Sequence, residues 1–400
     1  MSQDALPKRK RQWSELSDDD EDPKSDAKLT SANPTKKRDG KTASSGIHVE
    51  DVAFQTGGQI TPTEWLEGLK RLSRSIGSRF PGGIQDTAIR IAILDTGVNS
   101  ENRFFKSEVR RNRIKGQADF VPGSKSFKAA NDTFGHGSLM AQVVIEAAPL
   151  ADVYVARVAK DTESLSASRQ GIIDAITWAN KQEVDIISMS FGFPEVDDEI
   201  AFAIESARLV RGNAVIFLAS AGNSAFEPEK FPACHPSVIS IYATDCRGAF
   251  FFEPPATKTT APAFGTFGDN LPDRFLKSYG PAICQPGSSI ATAVAAAIAA
   301  MMLAYIKTLP FAGMDLQQQV RDSIEELKKR REEYRHLEKL RTVEGMTQLF
   351  ERMAPNRVGR TRWINPLSFW MTRIPERIEK ALSEVADDVR VAVAPWAGWA

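Results

Sequence analysis

The chain has 400 residues, 42% of them hydrophobic, and carries 51 Lys and Arg against 51 Asp and Glu. This is enough for a sizeable core with one or two appendages, and the balanced charge gives no general call for nucleic acid or an anionic membrane as partner. Cys234, Cys246 and Cys284 are an odd count with no CxxC pair, which argues against a disulfide framework or a zinc site and fits a reducing compartment.

Residues 1–60 are poor in apolar side chains. They run from Lys8-Arg9-Lys10-Arg11 to an acidic block (Glu15, Asp18, Asp19, Asp20, Glu21, Asp22) and then to mixed Ser, Thr and Lys. Such a stretch buries too little surface to offset its ordering entropy and reads as a disordered charged arm. The start has no apolar core of a signal peptide, which predicts an intracellular, cytoplasmic protein. The basic tetrad reads either as a nuclear-import signal or as part of a solvated tail. Residues 61–84 form a linker in which Trp65, Leu66, Leu69, Leu72 and Ile76 recur at helical spacing, the pattern of an amphipathic helix.

From 85 to 310 the pattern alternates. Apolar, β-branched runs at 89–94, 152–158, 184–189, 214–219 and 238–243 are separated by helix-like stretches at 137–148, 165–181 and 197–211. Short buried strands between amphipathic helices predict an α/β domain, a mostly parallel, doubly wound sheet with helices on both faces. In such sheets ligands bind beyond the carboxyl ends of the strands. Asp95 and Ser190 end two of the runs, and Asn223 follows a third. Ile290–Ile306 has the look of a membrane span, but it is short for one and heavy in alanine, so a central buried helix is expected instead. Residues 311–400 read as a helical extension. Leu316, Val320, Ile324, Leu327, Tyr334, Leu337 and Leu340 form an imperfect stripe, and Met346, Leu349, Phe350 and Met353 a shorter helix. Four of the seven tryptophans (Trp363, Trp370, Trp396, Trp399) fall in this extension, as a cap on the core or as a partner-binding tail.

Ser289 opens the alanine-rich helix. A serine in the first turn has its hydroxyl on a rigid mount beside backbone N–H groups that lack intrahelical acceptors. Those donors suit the oxyanion of an acyl-transfer intermediate, but the serine needs a base, and the base an orienting group. His136, with a glycine on either side and a helix behind it, supplies the first, and Asp95 the second. Taken alone, Asp95 would read as a helix cap and Asn223 as turn chemistry. His48, His235 and His336 lie in the arm, in a turn and on a charged helix, and none reads as catalytic.

At three places the chain resembles the subtilase family, with Asp, His and Ser in the subtilisin order. Ile93-Leu94-Asp95-Thr96-Gly97-Val98 agrees with the family's aspartate motif throughout. His136-Gly137-Ser138-Leu139-Met140-Ala141 matches at its core and departs at Met140 and Gln142, where smaller residues are usual; Gln142 is expected to push closely packed helices apart. The serine motif matches at Gly287, Ser289 and Ala291, with Ser288 for threonine and Ala293 for the common proline. The resemblance covers about 85–305. Residues 251–276, with Phe264-Gly265-Thr266-Phe267-Gly268, are similar to subtilase domains of filamentous fungi that lack a secretory signal, some of them fused to immune-receptor-like modules.

The resemblance implies a subtilisin-like fold and a serine endopeptidase acting on protein or peptide. Ser289 would be the nucleophile, His136 the base and Asp95 its orienter, with Asn223 and the Ser289 N–H at the oxyanion. Ser190, Phe191 and Gly192, with Ser220, Ala221 and Gly222 opposite, would hold an extended substrate. No cofactor is implied, and the acid-rich loops lack calcium-loop spacing, so no metal is expected. The alternatives are a subtilase fold used as an inactive binding or regulatory module, and the same chemistry on an ester or amide. The arm is too polar to form the folded inhibitory prodomain of secreted relatives, which leaves restraint to another segment or to a regulatory protein at the arm or the Trp-rich C-terminus.

Overall fold

The computed structural model describes residues 60–78, 88–124, 130–252, 254, 262–311, 324–354, 357–371, 373 and 375–396. The charged arm, with its basic tetrad and acidic block, lies outside the described residues, as do Leu316, Val320 and Trp399.

Among the described residues nine strands form one sheet: β1 (Arg90–Asp95), β2 (Ile114–Asp119), β3 (Asp152–Arg157), β4 (Ile186–Met189), β5 (Ile216–Ser220), β6 (Ile239–Thr244), β7 (Ala263–Phe267), β8 (Arg357–Val358) and β9 (Thr361–Trp363). Their order is β2-β3-β1-β4-β5-β6-β7-β9-β8. Every pairing is parallel except β8 with β9. The five apolar runs are β1, β3, β4, β5 and β6. β2 has no such run because it is a half-exposed edge strand through Lys115, Gly116 and Gln117, so one of its faces need not be apolar. The C-terminal extension is mostly helical but also supplies β8 and β9, which continue the sheet beyond β7.

Successive side chains divide between two layers, as the pleat requires. Ile91 and Ile93 of β1, with Ile216 and Leu218 of β5, face one core; Ala92, Leu94, Phe217 and Ala219 face the other. The first layer holds helices Pro62–Gly77, His136–Ala147 and Ser288–Thr308, and the second Arg169–Lys181 and Asp198–Val210. The Pro62–Gly77 helix begins with a capping box between Thr61 and Glu64 and buries Trp65, Leu66, Leu69, Leu72 and Ile76, the residues of the predicted stripe. The Ser288–Thr308 helix is long and apolar enough to cross a membrane (mean hydropathy 2.0), yet 94% of its apolar window is buried inside the protein. Its alanines let it lie close to the sheet. A Cβ at Gly268, just past β7, would stand 2.7 Å from the Gly287 carbonyl oxygen and 3.0 Å from the Ala291 Cβ.

The chain leaves β1 toward β2 and β3 on one side, then crosses back so that β4 pairs on the other. The loops after β1 and β4 therefore diverge, which opens a crevice at the carboxyl ends of those two strands. From the C-terminal side, Trp370 meets Tyr305 edge-on at 4.5 Å between ring centroids. Trp396 is buried with its indole N–H toward Asp185 (3.4 Å). Both are thus packed against the chain itself.

Candidate active site

Asp95 closes β1 in that crevice and is buried. Its Oδ1 accepts the Thr96 N–H at 2.7 Å and lies 2.8 Å from Nδ1 of His136. Its Oδ2 is buried and has no hydrogen-bond partner among the described residues. His136 is the first residue of its helix, entered through Gly135 at φ +106°, a conformation that glycine adopts without strain. Gly137 makes the approach to β1 possible, since a Cβ there would stand 2.4 Å from the Gly97 carbonyl oxygen.

The turn before His136 is organised by a residue that the motif reading passes over, the buried Asp132. One carboxylate oxygen accepts from the Thr96 hydroxyl and from the N–H groups of Phe134 and Gly135, at 3.0, 2.9 and 2.8 Å. The other accepts the N–H and hydroxyl of Ser138, at 2.8 and 2.7 Å. The Thr96 hydroxyl in turn accepts the Gly137 N–H at 2.8 Å. The carboxylate thus ties the loop after β1 to the first turn of the helix. An acid just ahead of a helix start was the available sequence signal.

Burial by itself would lower the His136 pKa. The charge of Asp95, the hydrogen bond to it and the charge of Asp132 outweigh that, and the imidazole is held above its ordinary value. Its Nε2 has no protein hydrogen-bond partner among the described residues.

Ser289 is the second residue of its helix. Its hydroxyl donates to the Ser190 carbonyl at 3.1 Å, and the Ser190 hydroxyl donates back to the Ser289 carbonyl at 3.1 Å. The structure therefore joins Asp95 to His136 directly, and Ser289 to the end of β4. Asn223, beyond β5, accepts the Ser288 N–H through Oδ1 at 2.8 Å. An N–H needs an acceptor, so this contact fixes the amide and leaves Nδ2 as a donor without a protein partner among the described residues. Gly287 is required for the contact, because a Cβ there would lie 2.7 Å from Asn223 Nδ2.

The Ser190–Gly192 and Ser220–Gly222 segments border this centre, and Lys230 lies between them. A Cβ at Gly192 would meet the Lys230 Cβ at 2.4 Å, and one at Gly222 its Cγ at 3.3 Å. The Lys230 N–H donates to Ala221 (3.1 Å), and its ammonium pairs with Glu227 at 2.6 Å. Phe191 packs edge-on against Phe193, which bridges to Phe231. Ser220 and Ser288 share a buried hydroxyl contact at 2.5 Å. Lys230 has no signal in the sequence, since only the fold brings it against both glycines.

Gln142 corrects an expectation. It does not wedge helices apart. Its buried amide accepts from the Tyr279 hydroxyl (2.9 Å) and donates to Glu146 (2.8 Å), and Glu146 holds Arg274 at 2.5 Å. The added bulk is absorbed as a satisfied polar chain between helices His136–Ala147 and Asp273–Tyr279. His235 accepts the nearby Ser237 N–H, and His336 meets the Ser383 hydroxyl of the C-terminal helix; His48 lies outside the described residues. All three cysteines are free. Among the described residues no three His, Cys, Asp or Glu side chains gather as a metal site.

A model of the subtilase family matches residues 86–342. The chain is 26% identical over 278 residues to the subtilisin-like protease het-Q2 of Podospora anserina, covering 60% of this chain and 75% of that protein. It is 28% identical over 174 residues to subtilisin Savinase of Lederbergia lenta, covering 41% and 58%. With the major intracellular serine protease of Bacillus subtilis (strain 168) the identity is 30% over 207 residues, covering 48% and 61%. The match thus spans less than two thirds of the latter two proteins.

Proposed function

Because the chain belongs to the subtilase family of serine peptidases, we propose that it is an endopeptidase cleaving protein or peptide substrates through an acyl-enzyme. The observation that carries this reading is the 2.8 Å contact between buried Asp95 and half-buried His136, with the far imidazole nitrogen unengaged among the described residues. Ser289 would turn its hydroxyl from the Ser190 carbonyl to that nitrogen and attack the scissile carbonyl as His136 takes the proton. His136 would return the proton to the leaving amine, with Asp95 holding the ring and stabilising the imidazolium. The Asn223 amide and the Ser289 N–H would hold the oxyanion. Releasing the Ser190 carbonyl frees the backbone there to pair with an extended substrate.

One observation favours the second reading, an inactive subtilase-fold binding module: the Ser289 hydroxyl donates to Ser190 and not to His136. Catalytic hydrogen bonds are often long or misdirected without substrate, so the peptidase reading is preferred. A fluorophosphonate probe separates the two. The purified chain should form one adduct, mapped by peptide mass to Ser289 and absent from Ser289→Ala. A folded wild type that forms no adduct would establish the binding module.

Lys230 bears on the substrate. Its stem lies along both bordering segments, and Glu227, its only ionic partner among the described residues, is 58% exposed. An acidic substrate side chain ahead of the scissile bond would replace Glu227, whereas a basic one would face the ammonium. A charge-assisted hydrogen bond contributes about 1.5–3 kcal/mol, and part exposure reduces it, so we expect a preference for Glu over Lys of roughly tenfold in kcat/KM. Lys230→Glu should reverse it. An unchanged Glu-to-Lys ratio in matched peptides would remove Lys230 from the specificity site.

We place the protein inside the cell. The nuclear share read from Lys8-Arg9-Lys10-Arg11 rests on sequence alone, and replacing the four by alanine with no shift in distribution would refute it. Regulation by a protein partner at the arm or C-terminal segment belongs to the same reading.

A further inference from the structure

Far from the Ser289 centre in chemistry, though sharing the His136–Ala147 helix with it, lies a basin of about 530 Å³. Its walls are helices Pro62–Gly77 and Asp273–Tyr279, the far end of His136–Ala147, and the two short helices Arg103–Lys106 and Glu108–Arg111. Seven Lys and Arg side chains line it against two glutamates, in a chain whose total charge is zero. Three of the cations are matched: Lys70 with Glu67 at 3.2 Å, Arg274 with Glu146 at 2.5 Å, and Arg113 with Asp152 at 2.9 Å. Arg74, Arg103, Arg110 and Lys277 have no acidic partner among the described residues. Arg110 instead lies over the Phe104 ring, 4.5 Å from its centroid.

We propose that this basin binds a compact small molecule carrying two or more phosphate groups. Four unmatched cations converging on one concavity repel one another, and an anion relieves that repulsion. Guanidinium groups suit phosphate oxygens, which they can engage in pairs. The shape selects the size. The cations come from several helices and surround a hollow of small-molecule volume, whereas a nucleic acid calls for an extended basic stripe. The apolar floor, Phe104 and Ile145 among it, excludes water beneath the charges and lessens their screening. The site is independent of the peptidase reading.

The test is calorimetric titration of the full chain with inorganic tripolyphosphate at about 0.15 M salt, where long-range attraction between exposed charges is largely screened. Saturable binding of one tripolyphosphate per chain is expected. The exposed pair Arg103→Glu with Lys277→Glu should weaken it at least about tenfold. The exposed pair Lys160→Glu with Lys181→Glu, which makes the same change in net charge elsewhere, should leave it unchanged. The proposal is overturned if wild type shows no saturable binding or if both pairs weaken it equally. It is equally overturned if a short polyglutamate peptide binds as tightly as tripolyphosphate, which would make the basin a surface for acidic protein.

Discussion

Asp95→Asn is expected to lower kcat by about 10⁴-fold, the scale of the corresponding exchange in other serine peptidases, while the fold persists. The asparagine oxygen can still accept the Thr96 N–H that Asp95 accepts at 2.7 Å, so the loop after β1 keeps its anchor. What is lost is the negative charge beside the half-buried imidazole. In the wild type that charge and its hydrogen bond, with Asp132, raise the His136 pKa against the effect of burial. The sign of the pH effect follows. His136 acts as base only when neutral, so wild-type activity should fall as pH drops through a value above the ordinary histidine range. In Asp95→Asn burial remains and the main opposing charge is gone. The acid limb should therefore move to lower pH even as the rate collapses. The check is kcat/KM against pH on a fluorogenic peptide cleaved by the wild type. A variant retaining a tenth of wild-type turnover, or one with an unmoved acid limb, would mean that Asp95 does not govern the imidazole.

Asn223→Ala is expected to cost roughly 10²–10³-fold in kcat with little change in KM; the magnitude is known from an oxyanion asparagine in subtilisin itself and is borrowed from it. The geometry supplies the direction. With Oδ1 tied to the Ser288 N–H at 2.8 Å, Nδ2 is a donor next to the serine helix without a partner among the described residues. Such a donor acts most strongly when charge develops on the substrate oxygen, so its loss lowers turnover more than ground-state binding. A fall of less than about threefold would return Asn223 to turn chemistry. The residual rate should still exceed that of His136→Ala, because the Ser289 N–H stays in place.

The sheet core and the candidate nucleophile, base and orienter were legible in the sequence because each depends on local pattern. Buried parallel strands need unbroken apolar runs, which marked β1, β3, β4, β5 and β6. A side chain at the first turn of a helix or the end of a strand is announced by its neighbours, which marked Ser289, His136 and Asp95. β2 and the β8–β9 pair went unmarked, since such strands at the sheet margin carry half-polar or very short patterns, and so did the buried β7, whose Ala263-Phe264-Gly265-Thr266-Phe267 is short and broken by Gly265 and Thr266.

What the sequence by itself determined was the kind of chemistry, through residue types in order and in helix- or strand-end contexts. Only the tertiary structure decided how those residues are held. Asp132 gathers the His136 turn, Gly287 admits the Asn223 amide to the Ser288 backbone, and Gln142 closes a polar chain where its size suggested a clash. The same holds for Lys230, and for the cations gathered from four helices and Arg113 around one basin. Each is a relation between segments distant in the chain. Its energy depends on distances and burial that no local pattern encodes, whereas strand and helix propensities act within a few residues.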